Sequence, residues 1–419
     1  MDIPESLRDD LCGDWKSRLL RSPVTGQPKP ILANALIALR TAPDWIGVLA
    51  HNEFALVTMT MRPPPWLRQL DNSWTPQPWT DGDDARATEW LHHQGITLSL
   101  NVVQVAVVTV ATEAPFHPIR NYLTALKWDG TPRIDSFATQ HLGAEGTAYH
   151  RAVGQCMLIA AVARIMRPGC KVDHVPVLEG EQGALKSTAI ERLFTPWFSD
   201  DLAELGTKDA SMQIRVAWGI EIAELASMTR SEIEKIKAFI TRKVDHFRPP
   251  YGRHVISAPR QSVLIGSTNT DTYLKDDTGA RRFWPVKCGA IDVATIDRDR
   301  DQLWAEALTL FKNGAPWWLN GDATVLAREE QADRHVDDPW QKSITNHLED
   351  KDRTSVTEIL EHVIDKPKER WTQLDQNRVA ACLRAAGFDR TRGPRPGRHW
   401  YYVRVAPVDT GTGDKDWDH

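Results

Sequence analysis

Between Leu178 and Phe194 the chain reads LEGEQGALKSTAIERLF, in which Gly180, Lys186 and Ser187 hold the register of a G-x-x-x-x-G-K-[ST] phosphate-binding loop. Leu185 stands where the second glycine belongs. Such a loop aims backbone N–H groups at phosphate oxygens, brings a lysine cation to the β and γ positions, offers a hydroxyl to magnesium, and places the positive end of a helix behind them. Gly180, Glu181, Gln182, Gly183, Ala184, Leu185, Lys186, Ser187 and Thr188 are therefore the expected cradle for a nucleoside triphosphate and Mg2+. If Leu185 must take left-handed backbone, the cost is about 1–2 kcal/mol, which a surrounding fold absorbs. The plainer reading of the same letters is a glycine turn ahead of a helix.

Hydrolysis also needs an acid beside the loop to hold the metal or orient the attacking water. The run GIEIAE supplies two carboxylates, with Glu224 the first choice and Glu221 the reserve, and either joins Ser187 as the expected metal set. Asn269, at the end of SVLIGSTN, can hold the same water. Arg281 and Arg282, in DDTGARRFWPV, are placed to offer a guanidinium to a neighbouring subunit's γ-phosphate, which requires a ring. Solvated glutamates, a turn-forming asparagine and a salt-bridged arginine pair are the ordinary alternatives.

These residues need a scaffold, and the hydrophobic pattern describes one. VPVLEG, AWGIEIAEL and SVLIGSTN read as strands, while KSTAIERLF and SEIEKIKAFITRK read as helices, the second opened by a capping box of Ser231 and Glu234. Strands alternating with helices indicate an α/β class with a parallel sheet covered on both faces. HRAVGQCMLIAAVARIM is a helix stopped at Pro168 and Gly169, and NVVQVAVVTVA is assigned as helix over strand. Beyond Pro339 the texture changes to helical segments at 344–348, 355–363 and 373–386. Gly387 caps the last of them, and the basic hairpin DRTRGPRPGRHWYYVRV completes the pattern of a winged helix.

The expected division is an N-terminal region at 1–110, a helical collar-like segment at 111–172, the nucleotide-binding core at 173–325, a linker at 326–340, a winged helix at 341–406 and a loose tail at 407–419. A chain of 419 residues is long enough for several cores. A net charge of −5 argues against a surface that coats nucleic acid and leaves room for a local basic track. Five scattered cysteines, no leader and no apolar run near ~18 residues point to a reducing, cytoplasmic setting without membrane contact. Seventeen tryptophans are read as core and interface filling.

LEGEQGALKST, WGIEIAEL, the stretch from EIEKIKAFITRK to RRFWPV, and DRDQLWAEAL together resemble the virulence-associated protein E family, as do the upstream NYLTALKWDGTPRIDSF and RIMRPGCKVDHVPVLEG. That group is similar to the superfamily 3 and poxvirus-type primase-helicases of phages, plasmids and genomic islands. The resemblance implies a hexameric P-loop ATPase of AAA+/superfamily 3 helicase type that moves on DNA with ATP and Mg2+. Lys186 and Ser187 then match the Walker A positions, Glu224 the Walker B acid, Asn269 sensor 1, and Arg281 or Arg282 the arginine finger. Leu185 departs from the usual loop. No primase signature stands in the first 110 residues, so a separate primase is the expected partner.

In related helicases the region TRKVDHFRPPYGRHVISAPR resembles a pore hairpin. Arg242, Lys243, Arg248, Tyr251 and Arg253, with Arg260 behind them, are the expected single-strand contacts, cations for phosphates and a ring for a base. The basic wing adds Arg390, Arg392, Arg395 and Arg398 for duplex DNA. A nucleic-acid-stimulated switch without processive unwinding is the alternative activity, and a non-hydrolysing scaffold a third.

Overall fold

Tryptophan side chains assemble the core of the N-terminal region. Trp45, almost fully buried, meets Trp90 edge-on at 5.6 Å and Trp66 at 5.9 Å, and Trp15 stacks on Trp90 at 6.0 Å. Helices α1 (Leu32–Thr41), α2 (Asp81–His93) and α3 (Leu100–Thr112) contribute to this core. The small sheet beside them has the order β3 (Gln77–Pro78), β2 (Val57–Thr60), β1 (Leu49–Asn52), β4 (Pro115–Phe116). The stretch NVVQVAVVTVA lies within α3, burying Val103, Ala106, Val107 and Ala111 at helical spacing. The computed structural model describes residues 14–67, 74–201, 214–247, 255–274, 280–335, 338–392 and 400–405, and chain contacts divide it into Met1–Arg334 and His335–His419.

Helices α4 (Pro118–Ala125), α5 (Phe137–Leu142) and α6 (Ala148–Met166) lead into a second, parallel sheet. Its strands are β5 (Val175–Glu179), β6 (Phe198–Ser199), β7 (Gly219–Ile222), β10 (Val263–Thr268) and β11 (Phe283–Lys287), in the order β11-β5-β10-β7-β6 with every pair parallel. Helix α7 (Lys186–Phe194) packs Ile190, Leu193 and Phe194 onto one face. Gly219 is required there, because a Cβ at that position would lie 2.2 Å from the Phe194 ring. Trp218 and Trp304 pack behind it with ring centroids 4.3 Å apart and planes tilted by 39°, and their indole N–H groups donate to Ala161 O and Leu193 O.

Helix α8 (Arg230–Ile240) begins two residues earlier than the Ser231–Glu234 pattern implies. Thr229 is its N-cap and Glu232 closes the capping box at 2.7 Å, while Glu234 pairs with Lys237. The antiparallel strands β8 (Val244–Phe247) and β9 (Ile256–Pro259) follow, inserted between α8 and β10. Helices α9 (Val293–Lys312) and α10 (Gly321–Asp333) complete the unit.

The C-terminal unit contains α11 (Gln341–His347), β12 (Arg353–Thr354), α12 (Val356–His362), α13 (Gln373–Ala385), β13 (Phe388–Arg392) and β14 (Trp400–Arg404). Its sheet is antiparallel with the order β12-β14-β13, over a core that includes Ile344, Ile359, Val379, Leu383, Phe388 and Tyr402. Thr372 and Asp375 form a capping box for α13, which ends at Gly387 in the left-handed region (φ 81°).

Candidate nucleotide site

Strand β5 ends at Glu179, and the chain turns through Gly180 (φ 156°) and Gly183 (φ 84°) before α7 begins at Lys186. Leu185, the N-cap of α7, takes φ 60° and ψ 21°, the left-handed conformation that the missing glycine would adopt freely. Its side chain is half exposed, so backbone conformation, not packing, sets the cost.

The Lys186 side chain, 7% exposed, folds back over the turn. Its Nζ donates to Gly180 O and Glu181 O at 2.8 Å each and to Asn269 Oδ1 at 3.1 Å. The β5–β10 register explains the third contact, since Thr268 lies opposite Glu179 and Asn269 therefore arrives beside Gly180. Within the same site Ser187 Oγ donates to Glu221 Oε1 at 2.7 Å, and Ser267 Oγ donates to that oxygen at 2.5 Å. Glu221 is 1% exposed and its Oε2 has no hydrogen-bond partner among the described residues.

Glu221, the reserve choice from sequence, is thus the carboxylate that touches Ser187. Glu224 is exposed beyond the end of β7, with φ 53°. The donor chemistry fits the expected ligands. A buried lysine amine with three exchangeable oxygen partners suits phosphate, and a hydroxyl beside a carboxylate with a free oxygen suits a magnesium ion that keeps most of its water. Among the described residues no cluster of three His, Cys, Asp or Glu offers an all-protein metal cage.

Arg281 and Arg282 lie in a 3-10 turn, Ala280–Arg282, just before β11. Phe283 pairs with Val175, so both arginines flank the starting edge of the sheet, whereas the Lys186 loop follows its finishing edge about 13 Å along β5. Arg281 is exposed; Arg282 is half-buried and its Nε has no partner among the described residues.

One pair in this region carries no motif. Glu179, 2% exposed, accepts from Arg334 Nε at 3.0 Å and from Arg334 Nη2 at 3.0 Å, and Arg334 also pairs with Glu330. Burial pushes the Glu179 carboxyl up against the pull of the guanidinium, and burial and the Glu179 charge push the nearby Tyr273 hydroxyl well above its usual range. The available signal was an acid closing an otherwise apolar strand, which must find a counter-charge. Cys288, whose carbonyl faces Gly180, has its thiol pushed up to about 12 by burial.

Of the expected DNA contacts, Arg242 and Lys243 are exposed at the entry to β8, and Arg390 and Arg392 are exposed on β13. Arg248, Tyr251, Arg253, Arg395 and Arg398 lie outside the described residues. Arg260 departs from expectation. It is buried at the foot of the β8–β9 pair, bidentate to Asp245 at 3.0 and 2.6 Å and 4.2 Å above the Phe239 ring, so it braces the hairpin and is closed to DNA.

Residues 123–336, half of the chain, match the virulence-associated protein E-like domain. The chain belongs to that family. The matched segment includes the Lys186 loop, Glu221, Glu224, Asn269, both arginines and Arg334. Apo structures of the NrS-1 C-terminal region are among the solved structures similar to the chain. One shares 9% identity at a TM-score of 0.46, covering 85% of this chain and 96% of that one; another shares 10% at 0.48, covering 90% and 100%. No curated protein matches the chain. Among the described residues no helix is long and apolar enough to cross a membrane.

Proposed function

We propose that the chain is an ATP- and magnesium-dependent P-loop motor of AAA+/superfamily 3 type. On this reading it works as a DNA helicase or translocase in the replication of a phage, plasmid or genomic island. The observation that carries this reading is the Lys186 amine held on Gly180 O, Glu181 O and Asn269 Oδ1 at the head of α7. Those oxygens are partners that an incoming phosphate replaces, and the helix N-terminus adds its own attraction.

Within that reading Lys186 binds the β- and γ-phosphate charge, Ser187 and Glu221 hold the metal or its water, and Asn269 and the exposed Glu224 orient the attacking water. Bound magnesium supplies Lewis-acid polarisation of the terminal phosphate. Arg282, with Arg281 beside it, serves the nucleotide of a neighbouring subunit, since the length of β5 separates it from its own loop. That requirement supports a ring, taken as a hexamer, with single-stranded DNA in a pore lined by Arg242 and Lys243. The order of helices and strands in the C-terminal unit supports a winged helix that contacts duplex DNA. A separate primase and a cytoplasmic setting complete the proposal.

Lys186→Ala should abolish ATP binding in calorimetry together with hydrolysis and displacement of a forked duplex. Undiminished hydrolysis by that variant removes the assigned site. DNA-stimulated hydrolysis by the unmodified chain without strand separation assigns the switch activity instead.

A further inference from the structure

A groove of about 570 Å3 opens in the C-terminal unit among α12, α13 and the strands β13 and β14. Among the described residues no acidic side chain lines it. The face that α13 turns into it carries Gln373, Gln376 and Asn377, all exposed and spaced by three and four residues on one side of the helix. Gln373 Nε2 donates to Asn377 Oδ1 at 3.1 Å, which ties the two amides together.

The cations sit to one side of these amides. Arg390 lies 4.0 Å and Arg392 5.3 Å from the Trp400 ring centroid. A ring face orients a guanidinium without neutralising it, so the charge stays available to an anion. Arg378 on α13 contrasts with them, since Asp338 neutralises it at 2.6 Å.

A helix that grips only phosphate presents lysine and arginine along its exposed face. The first turns of this one present neutral amides, with the exposed Arg384 two turns beyond Asn377; each amide offers a donor and an acceptor, the pairing that fits the N6 and N7 edge of adenine in a major groove wide enough to admit a helix. Phosphate-binding cations beside a base-reading face divide the labour as duplex recognition requires.

We infer that α13 reads base sequence in the major groove of double-stranded DNA, with Gln376 and Asn377 at adenine edges and Arg390 and Arg392 on the adjoining phosphates. The inference rests on the reading of this unit as a DNA-contacting winged helix, and it adds sequence selectivity. The motor is thereby directed to a defined duplex site.

The test uses the full chain carrying Lys186→Ala, without nucleotide, so that translocation plays no part. Selection from a random duplex library should enrich A·T pairs at two neighbouring positions, and fluorescence anisotropy should give the selected duplex an advantage of about 30-fold or more over a scrambled one. Gln376→Ala and Asn377→Ala should each cut that advantage by roughly tenfold while leaving scrambled-duplex affinity and the melting temperature unchanged. Arg390→Ala and Arg392→Ala should weaken both duplexes alike and lower the salt slope by about one each. Equal binding of all duplexes, or an advantage that survives both amide variants, overturns the reader alone. Tighter binding of single strands that depends on Trp400 overturns it in favour of a stacking surface. Absence of binding to any nucleic acid at low salt overturns the DNA-contacting reading along with it.

Discussion

Arg334, at the end of α10, donates to both carboxylate oxygens of Glu179, the last residue of β5, so that two residues 155 apart in sequence close a buried ion pair directly beneath the Lys186 loop. Removing one member leaves the other charge buried without compensation. Glu179→Gln should cost about 3 kcal/mol in urea unfolding, at the lower end for such pairs because Glu330 still serves Arg334. Glu179→Leu combined with Arg334→Met should recover most of that loss. Equal destabilisation of single and double variants would mean that shape, not charge, matters there.

The two glutamates of GIEIAE are expected to separate into different roles. Glu221 acts through Ser187, which it touches at 2.7 Å, so Glu221→Gln should raise the magnesium needed for half-maximal hydrolysis by roughly 10- to 100-fold. Glu224 is exposed and free to meet water, so Glu224→Gln should leave nucleotide affinity intact and lower turnover by about 10²-fold or more. A magnesium titration of both variants decides the assignment, and interchanged phenotypes would reverse it.

Leu185 holds φ 60° where a side chain is disfavoured by about 1–2 kcal/mol. Leu185→Gly should relieve that strain against the greater chain entropy of glycine, for a net gain of up to about 1 kcal/mol. Nucleotide affinity should change only a few-fold, because the loop keeps its shape. Leu185→Ala, which retains a Cβ, should show no gain. A loss of stability in Leu185→Gly would place the leucine in a contact worth more than the strain.

Much of this site was legible in the sequence, and the reasons differ by residue. Lys186, Ser187 and Asn269 follow from strand ends and a helix start, which short-range patterns specify well, and helix α6 follows from apolar periodicity, whereas the uninterrupted apolar run of α3 fits helix or strand by periodicity alone. Glu221 lies within β7 and Glu224 two residues past its end, and the order of the sheet decides which meets Ser187. Arg260 looked like one more cation in a basic stretch until Asp245, fifteen residues earlier, came opposite it at the foot of the hairpin. Arg334 was illegible for the same reason at greater distance, since nothing local to it names Glu179.

A ring that shares its active sites can be rebuilt from two defective chains. On the proposed reading Lys186→Ala removes the cradle and Arg282→Ala the neighbour's guanidinium, so each homogeneous ring should be inactive. Random mixing at equal amounts pairs an intact cradle with an intact arginine at about one interface in four of a head-to-tail ring. Hydrolysis near that fraction should therefore return on mixing. Arg281→Ala in place of Arg282→Ala is the control that chooses between the neighbours, and no recovery with either partner would remove the shared site.

His174 couples stability to acid. It lies just ahead of β5, 6% exposed, with its ring 3.7 Å from that of Trp284, and burial pulls its pKa down to about 3, Asp173 opposing and Arg164 assisting. The unfolded chain holds this histidine near the ordinary value of about 6.5, so between those limits the unfolded state binds the extra proton. Stability therefore rises with pH through that window and falls as pH drops below about 6.5, by about 1.4 kcal/mol per pH unit for the one site. Burial lowers His117 and His150 as well, so they add to the slope without setting its lower limit. His174→Phe keeps a flat ring against Trp284 and removes the proton-binding nitrogens. Urea midpoints measured at pH 7, 6, 5 and 4 should then fall less steeply in the variant, which gains on the unmodified chain with every unit toward acid. Parallel curves would mean that the folded protein accepts a proton at His174 as readily as the unfolded chain does, which its burial forbids.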